Sequence, residues 1–154
     1  MQNEQYIDKI FVYGSLMQGM ENHFLLAPYV KTVNPATVRG RLLELTGEGY
    51  PMLFSGDEIV HGELVYLTDA ATALALLDPL EGFVGPGDPR NYYERCLVAV
   101  TDQQGGEANA WVYLCPPQAE ARCWAAGEPI VSGNWRTVIA QGQARHKIET
   151  NQQA

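Results

Sequence analysis

The chain has 154 residues, of which 46% are hydrophobic and only 18% are charged. Its net charge is -8 and its ten Lys and Arg residues form no cluster, so nucleic acid and anionic membranes are poor partners, because both need a concentrated positive face. No apolar stretch approaches the roughly twenty residues that cross a bilayer. The composition suits a domain that binds a small molecule, and its low charge content would tolerate a homodimer.

Three cysteines and the N-terminus bear on location. Cys96, Cys115 and Cys123 are an odd number with no paired spacing, which favours free thiols in a reducing compartment. The polar, acidic start MQNEQYIDKI lacks the basic and apolar regions of a signal peptide. We therefore expect a cytoplasmic protein.

Hydrophobic periodicity and turn residues predict an α+β chain with one central buried helix. We expect one domain over residues 1–154, with helical turns after Pro116-Pro117, a hairpin turn at 103–106 and a flexible tail at 141–154. In chain order the expected elements are a strand at 9–13, a short helix at 22–27, strands within 32–46 and 58–67, a helix at 69–78, and strands at 92–101 and 107–114.

The first strand leads into a candidate binding loop with the sequence FVYGSL, residues 11–16. Gly14 lacks a Cβ, so the turn can take dihedrals closed to other residues and a ligand can approach the main chain. Ser15 and its neighbours would then offer peptide N–H groups to a carboxylate or another oxyanion. An ordinary strand-to-turn connection has the same pattern.

A second candidate lies at the end of the predicted helix, in LLDPLEGF, residues 76–83. Thr68 and Asp69 can cap the start of this helix, and Pro79 should end it near Asp78. Glu81 would follow at the carbonyl-rich end, where the macrodipole disfavours negative charge and raises the carboxyl pKa. Such a group can take up and return a proton near neutral pH, although a solvated loop glutamate has the same sequence pattern.

Together the two motifs resemble the gamma-glutamylcyclotransferase-like family, including its small bacterial members of the gamma-glutamylamine cyclotransferase type. The similarity covers about residues 8–136 and rests on order and spacing. Further segments that resemble the family are Tyr50-Pro51, VHGELVY at 60–66, YYER at 92–95, WVY at 111–113 and IVSGNW at 130–135.

The resemblance implies a small mixed β-barrel of mostly antiparallel strands, with peripheral short helices and neither a cofactor nor a metal. It also implies a reaction in which the α-amine of a gamma-glutamyl compound attacks its own side-chain carbonyl, giving 5-oxoproline and a free amine. Glu81 would be the general acid and base. The implied substrate-binding residues are Tyr13, Gly14, Ser15 and Leu16, with Tyr93 and Arg95 as further pocket candidates.

Other interpretations compete with this one. His61-Gly62-Glu63 matches half of a zinc-deaminase signature, but the Pro-Cys-x-x-Cys half is missing. Ser15 lacks the G-x-S-x-G frame of a nucleophile elbow, no Cys lies where its pKa would fall, and Arg95 in a strand is typical of a structural ion pair. A non-catalytic binding or interaction protein of the same fold is the second hypothesis. Enclosure of Glu81 beside the Gly14 loop would favour the enzyme over the binding protein. The sequence does not determine the leaving group, which we expect the Phe83–Asn91 loop to recognise.

Overall fold

Five strands close into a barrel in the computed structural model, which describes residues 7–45 and 49–141. Most of the predicted tail, residues 142–154, lies outside the described residues. Short 3-10 turns occupy Ala27–Tyr29 and Pro117–Ala119, and residues 135–141 are helical. The elements are β1 (Lys9–Val12), α1 (His23–Leu26), β2 (Val30–Leu45), β3 (Pro51–Leu67), α2 (Ala70–Leu80), β4 (Glu94–Asp102), β5 (Glu107–Leu114), α3 (Glu120–Ala125) and β6 (Gly127–Pro129).

The barrel is mixed because one strand pair is parallel. The strand order is β3-β1-β5-β4-β2, with β2 pairing back to β3 to close the circle and β6 adding to the outer side of β2. The parallel contact of β1 with β5 is a single pair, Ile10 with Trp111, whereas β4 and β5 pair over eight antiparallel positions. This agrees with the predicted barrel, and it leaves little main-chain pairing where β1 ends.

Strand β3 is longer than predicted, since it begins at Pro51 rather than near residue 58. Its first half pairs with β2 through Arg41–Glu44, and the register shifts between Gly40 and Arg41. The Ser-Gly-Asp run at 55–57 has the composition of a turn, yet it forms a bulge within a continuous strand. Gly56 is required there because a Cβ would lie 2.5 Å from the Arg41 side chain.

Helix α2 lies against the barrel with one face buried. Asp69 caps its start by accepting the Thr72 N–H at 3.1 Å, as predicted. Ala73 and Leu77 on one side are buried, while Leu80 remains 58% exposed. The helix runs two residues past its predicted end, with Pro79 inside its last turn.

The interior of the barrel is apolar. The largest fully buried side chains include Phe11 on β1 and Met52 on β3, and Trp135 from the C-terminal helical turn is 2% exposed. In the chain as described, no helix has the length and hydrophobicity to span a membrane.

Candidate active site

A cavity of about 330 Å³ opens where β1 ends, within the range of small-molecule sites. Its walls come from the loop after β1, the last turn of α2, the start of β3 and the end of β5. The two sequence motifs thus meet at one place: Gly14, Ser15 and Leu16 line the cavity, and so does Glu81. This is the arrangement that the enzyme hypothesis requires.

Tyr13 ties the loop to two neighbouring strands. Its hydroxyl donates a hydrogen bond to the main-chain carbonyl of Tyr113 at 2.6 Å and accepts one from the Leu53 N–H at 3.1 Å. Burial strongly raises the pKa of Tyr13, so the hydroxyl keeps its proton. It therefore acts as a fixed bridge across the open end of the barrel, where the β1–β5 ladder has stopped.

The main chain of the loop has two peptide groups to offer. Within the part of the chain that the structure describes, the N–H groups of Ser15 and Leu16 donate to no protein acceptor. The rest of the turn is held in place: the Asn22 side-chain amide donates to Ser15 Oγ at 3.0 Å, and Nδ1 of His23 lies 2.8 Å from the Leu16 carbonyl. Two N–H groups on a fixed turn can donate hydrogen bonds to a negatively charged oxygen.

Gly14 is needed for a different reason from the one that the sequence suggested. Its φ is not in the left-handed region. A Cβ at this position would instead lie 2.8 Å from Cγ of Pro51 at the start of β3. Pro51 therefore packs directly against the YGSL loop at Gly14.

Glu81 caps the C-terminus of α2 and is partly buried in the cavity wall. Burial raises the pKa of its carboxyl from 4.5 to about 7. Among the described residues, no donor forms a hydrogen bond or ion pair with this carboxyl. Gly82 turns the chain away with φ +68°, and a Cβ there would lie 2.8 Å from Tyr92. Glu81 is therefore a carboxyl without a hydrogen-bond donor among the described residues, and its pKa lies near neutral pH.

Two further tyrosines complete the inner wall. Tyr93, a predicted pocket residue, lines the cavity and donates its hydroxyl to the Pro51 carbonyl at 2.8 Å. Tyr113, which the sequence analysis placed only in a strand, also lines it and donates to Oδ1 of Asp78 at 2.7 Å. Burial and this bond raise the pKa of Tyr113. The signal for Tyr113 was its position at the end of β5, beside β1.

Arg95 does not line the cavity, so its place differs from the predicted one. Its guanidinium binds the Asp78 carboxylate through two contacts of 2.8 and 3.1 Å. It also lies over the rings of Trp111 and Phe83, 4.3 and 5.1 Å from their centroids. Both charges of this pair are largely buried, so the arginine is committed to the ion pair and reaches the site only through Asp78 and Tyr113.

The outer part of the cavity is apolar and aromatic. Tyr50, Leu80 and Tyr92 line it and are each between 41% and 58% exposed. Among the described residues in the lining, Glu81 alone carries a charged side chain. No residue of the Phe83–Asn91 loop lines the cavity, and the buried carboxylate of Glu94 holds that loop by accepting the Gly87 N–H at 2.8 Å.

The residues that the structure describes form neither the zinc site nor the reactive cysteine that the alternative interpretations need. His61 is exposed on β3, away from Glu81, and residues 7–45 and 49–141 contain no group of three potential metal ligands. All three cysteines are free. Burial raises the pKa of Cys115, which lies against Cys123, to about 12.

Solved structures with the same fold include proteins from plants, bacteria and mammals. A protein from Arabidopsis thaliana matches 99% of this chain and 88% of its own at a TM-score of 0.64 and 24% identity. YkqA from Bacillus subtilis gives 0.63 at 22% identity over 90% of this chain, which spans only 43% of YkqA. An AIG2-like protein from mouse gives 0.54 at 23% identity over 70% of this chain and 76% of its own.

Sequence comparison identifies the family as well as the fold. The gamma-L-glutamyl-butirosin B gamma-glutamyl cyclotransferase of Niallia circulans is 33% identical over 109 residues, which cover 71% of this chain and 67% of the relative. The profile of the family described as gamma-glutamyl cyclotransferase, AIG2-like, matches residues 10–137. The family match and the named relative support a cyclotransferase enzyme. The chain belongs to the AIG2-like gamma-glutamyl cyclotransferase family.

Proposed function

We propose that this protein releases 5-oxoproline from a small gamma-glutamyl amide or peptide, with Glu81 as general base and then general acid. One observation carries the proposal: an uncommitted carboxyl with a pKa of about 7 lines the same cavity as two peptide N–H groups without protein acceptors. The Niallia circulans relative is named for a gamma-glutamyl substrate, which supports a substrate with a gamma-glutamyl group for this protein too.

The reaction needs one carboxyl because its nucleophile belongs to the substrate. The Glu81 carboxylate takes a proton from the α-ammonium, and the freed amine attacks the γ-carbonyl carbon, forming the C–N bond of a five-membered lactam. The bond from that carbon to the leaving nitrogen then breaks as Glu81 returns the proton to this nitrogen. The attacking nitrogen loses its second proton to solvent, so the lactam keeps a single N–H. The remaining task is to hold the substrate in a folded, near-attack conformation.

The N–H groups of Ser15 and Leu16 are the proposed site for the substrate α-carboxylate. This group bears a full negative charge in a cavity that already contains Glu81, so it needs donors of its own. Ser15 and Leu16 line the same cavity as Glu81, and their turn is held by Asn22 and His23. Binding there would direct the neighbouring α-ammonium toward the carboxyl.

The leaving group would occupy the outer, aromatic part of the cavity. Tyr50, Leu80 and Tyr92 offer apolar surface there, and the described lining contains no cation to pair with a carboxylate on the departing amine. We therefore propose amides of apolar amines as better substrates than gamma-glutamyl amino acids. The free thiols and the charge of -8 support a cytoplasmic enzyme with small-molecule partners, and a homodimer remains a prediction.

The proposal is tested by incubating the purified protein with gamma-glutamyl amines and gamma-glutamyl dipeptides and quantifying 5-oxoproline by mass spectrometry. Glu81→Gln should lower kcat by at least about 100-fold, because removal of a general acid-base group typically costs 10²–10⁴. Glu107→Gln, at the exposed start of β5, is the matched control and should keep wild-type activity.

The pH profile gives a second readout. Only the carboxylate form of Glu81 accepts a proton, so wild-type kcat/KM should rise as the pH passes through about 7. Full activity of Glu81→Gln, or the absence of 5-oxoproline with every compound, would overturn the assigned role or the proposed reaction respectively.

A further inference from the structure

Two motifs that the proposed reaction does not use meet beside the substrate-binding loop. The VHGELVY strand forms the end of β3, and the segment SGNWR, residues 132–136, crosses it. The His61 N–H donates to the Gly133 carbonyl at 2.8 Å. Gly133 has φ +65°, and a Cβ there would lie 2.3 Å from the Ile59 carbonyl. This close packing brings Arg136 next to Glu63.

Glu63 and Arg136 bind the main-chain N–H and the main-chain carbonyl of Gln18, respectively. Oε1 of Glu63 accepts the Gln18 N–H at 2.8 Å, and a terminal guanidinium nitrogen of Arg136 donates to the Gln18 carbonyl at 2.8 Å. The same nitrogen lies 3.0 Å from Oε2 of Glu63, which closes the arrangement. The Glu63 side chain is 13% exposed, so this ion pair is shielded from solvent on its acidic side.

Gln18 belongs to the turn that carries the unpartnered N–H groups. It follows Leu16 by two residues, and Glu63 itself pairs with Val12, the last residue of β1 before the loop. Asn22 and His23 hold one side of this turn, and the Glu63–Arg136 pair holds the other. Glu63 and Arg136 line a separate surface cavity of about 300 Å³ and are absent from the lining of the cavity that contains Glu81.

We propose that Glu63 and Arg136 are positioning residues that fix the Gly14–Met20 loop in its substrate-binding conformation. This inference rests on the proposed function for its kinetic part. A loop held only at one side samples other conformations, and each binding event must then restrict it again. Because the N–H groups of this loop would bind the substrate carboxylate in ground and transition states alike, their misplacement weakens binding more than chemistry.

Measurement of KM and kcat for Arg136→Met and Arg136→Lys tests the proposal. Arg136→Met should raise KM by about 10-fold or more with kcat within about threefold of wild type. Arg136→Lys should recover part of the loss, because an ammonium can still bridge the Gln18 carbonyl and Glu63. Arg39→Met is the matched control: Arg39 is exposed and also donates to a main-chain carbonyl, that of Asp57 at 3.0 Å, but lies outside the loop.

If Arg136 only stabilised the fold, its replacement would change KM and kcat differently. A variant that is partly unfolded loses active molecules, which lowers kcat in proportion and leaves KM unchanged. That outcome, or equal KM values for Arg136→Met and Arg39→Met, would overturn the proposal.

Hydrogen exchange separates this inference from the proposed function. Arg136→Met should speed exchange by about 10-fold or more at the hydrogen-bonded amides of the loop, those of Met17, Gln18 and Met20, while the β4–β5 hairpin exchanges as in wild type, because only the loop loses its anchor. Unchanged exchange in the loop would refute the positioning role even if the enzyme is active. Faster exchange in an enzyme that converts no gamma-glutamyl compound would refute the reaction and leave the loop anchor standing.

Discussion

Replacing Glu81 by glutamine should change how the stability of the fold depends on pH. Burial raises the carboxyl pKa from 4.5 to about 7, so the folded protein binds this proton more tightly than the unfolded chain does. The resulting contribution to stability is fully present below pH 4.5 and is lost as the pH rises through about 7. Glutamine is neutral throughout, so the variant does not share that loss.

The size of the effect follows from the two pKa values. Their separation corresponds to about 3 kcal/mol in the free energy of unfolding. The partial exposure of Glu81 makes this an upper limit. Any constant cost of burying the amide shifts the whole curve and leaves its slope unchanged, so the informative quantity is the difference between variant and wild type as a function of pH.

Urea denaturation at a series of pH values from about 4 to about 9 measures this difference. The advantage of Glu81→Gln over wild type should grow by up to about 3 kcal/mol across that range. Glu107→Gln should give a curve nearly parallel to that of wild type, because its carboxyl is exposed. Parallel curves for Glu81→Gln as well would show that the carboxyl is solvated, and the argument for its proton-transfer role would fail.

Three more substitutions test the architecture around the site, each by the free energy of unfolding. Tyr13→Phe leaves a buried N–H and a buried carbonyl without their side-chain partner and should cost about 1–3 kcal/mol, whereas a neutral result would deny the bridge. Gly62→Ala places a Cβ 2.3 Å from the Val12 carbonyl and should cost at least about 1–3 kcal/mol, and wild-type stability would contradict the close packing of β1 on β3. Arg95→Met leaves the Asp78 carboxylate largely buried and unpaired and should cost about 3 kcal/mol, and an unchanged midpoint would mean that the ion pair is solvated.

Local patterns predicted much of the fold because they act over short distances. The helix cap at Asp69 and the hairpin turn between β4 and β5 each depend on a few neighbouring residues. The first half of β3 was missed because its bulge has turn-like composition and is stabilised by β2, whose pairing cannot be read locally. Strand β6 has only three residues, Gly127–Pro129, and depends on the same distant partner.

In the site as well, short motifs were predicted from the sequence, whereas residues placed by contacts between distant segments were missed. Resemblance to a family brought the Gly14 loop and Glu81 together, and the structure places both at one cavity. Arg95 was mistaken for a pocket residue because its partner, Asp78, lies 17 positions away on a different element. Tyr113 was overlooked because only barrel closure brings the end of β5 beside the loop.

The unpartnered N–H groups of Ser15 and Leu16 have a consequence for mutational scanning. An alanine scan keeps every peptide N–H, so it would report only the loss of the Ser15 hydroxyl and of the buried Leu16 side chain and would leave the contribution of the two N–H groups unmeasured. Removal of the donor requires a backbone change such as Ser15→Pro or an amide-to-ester replacement.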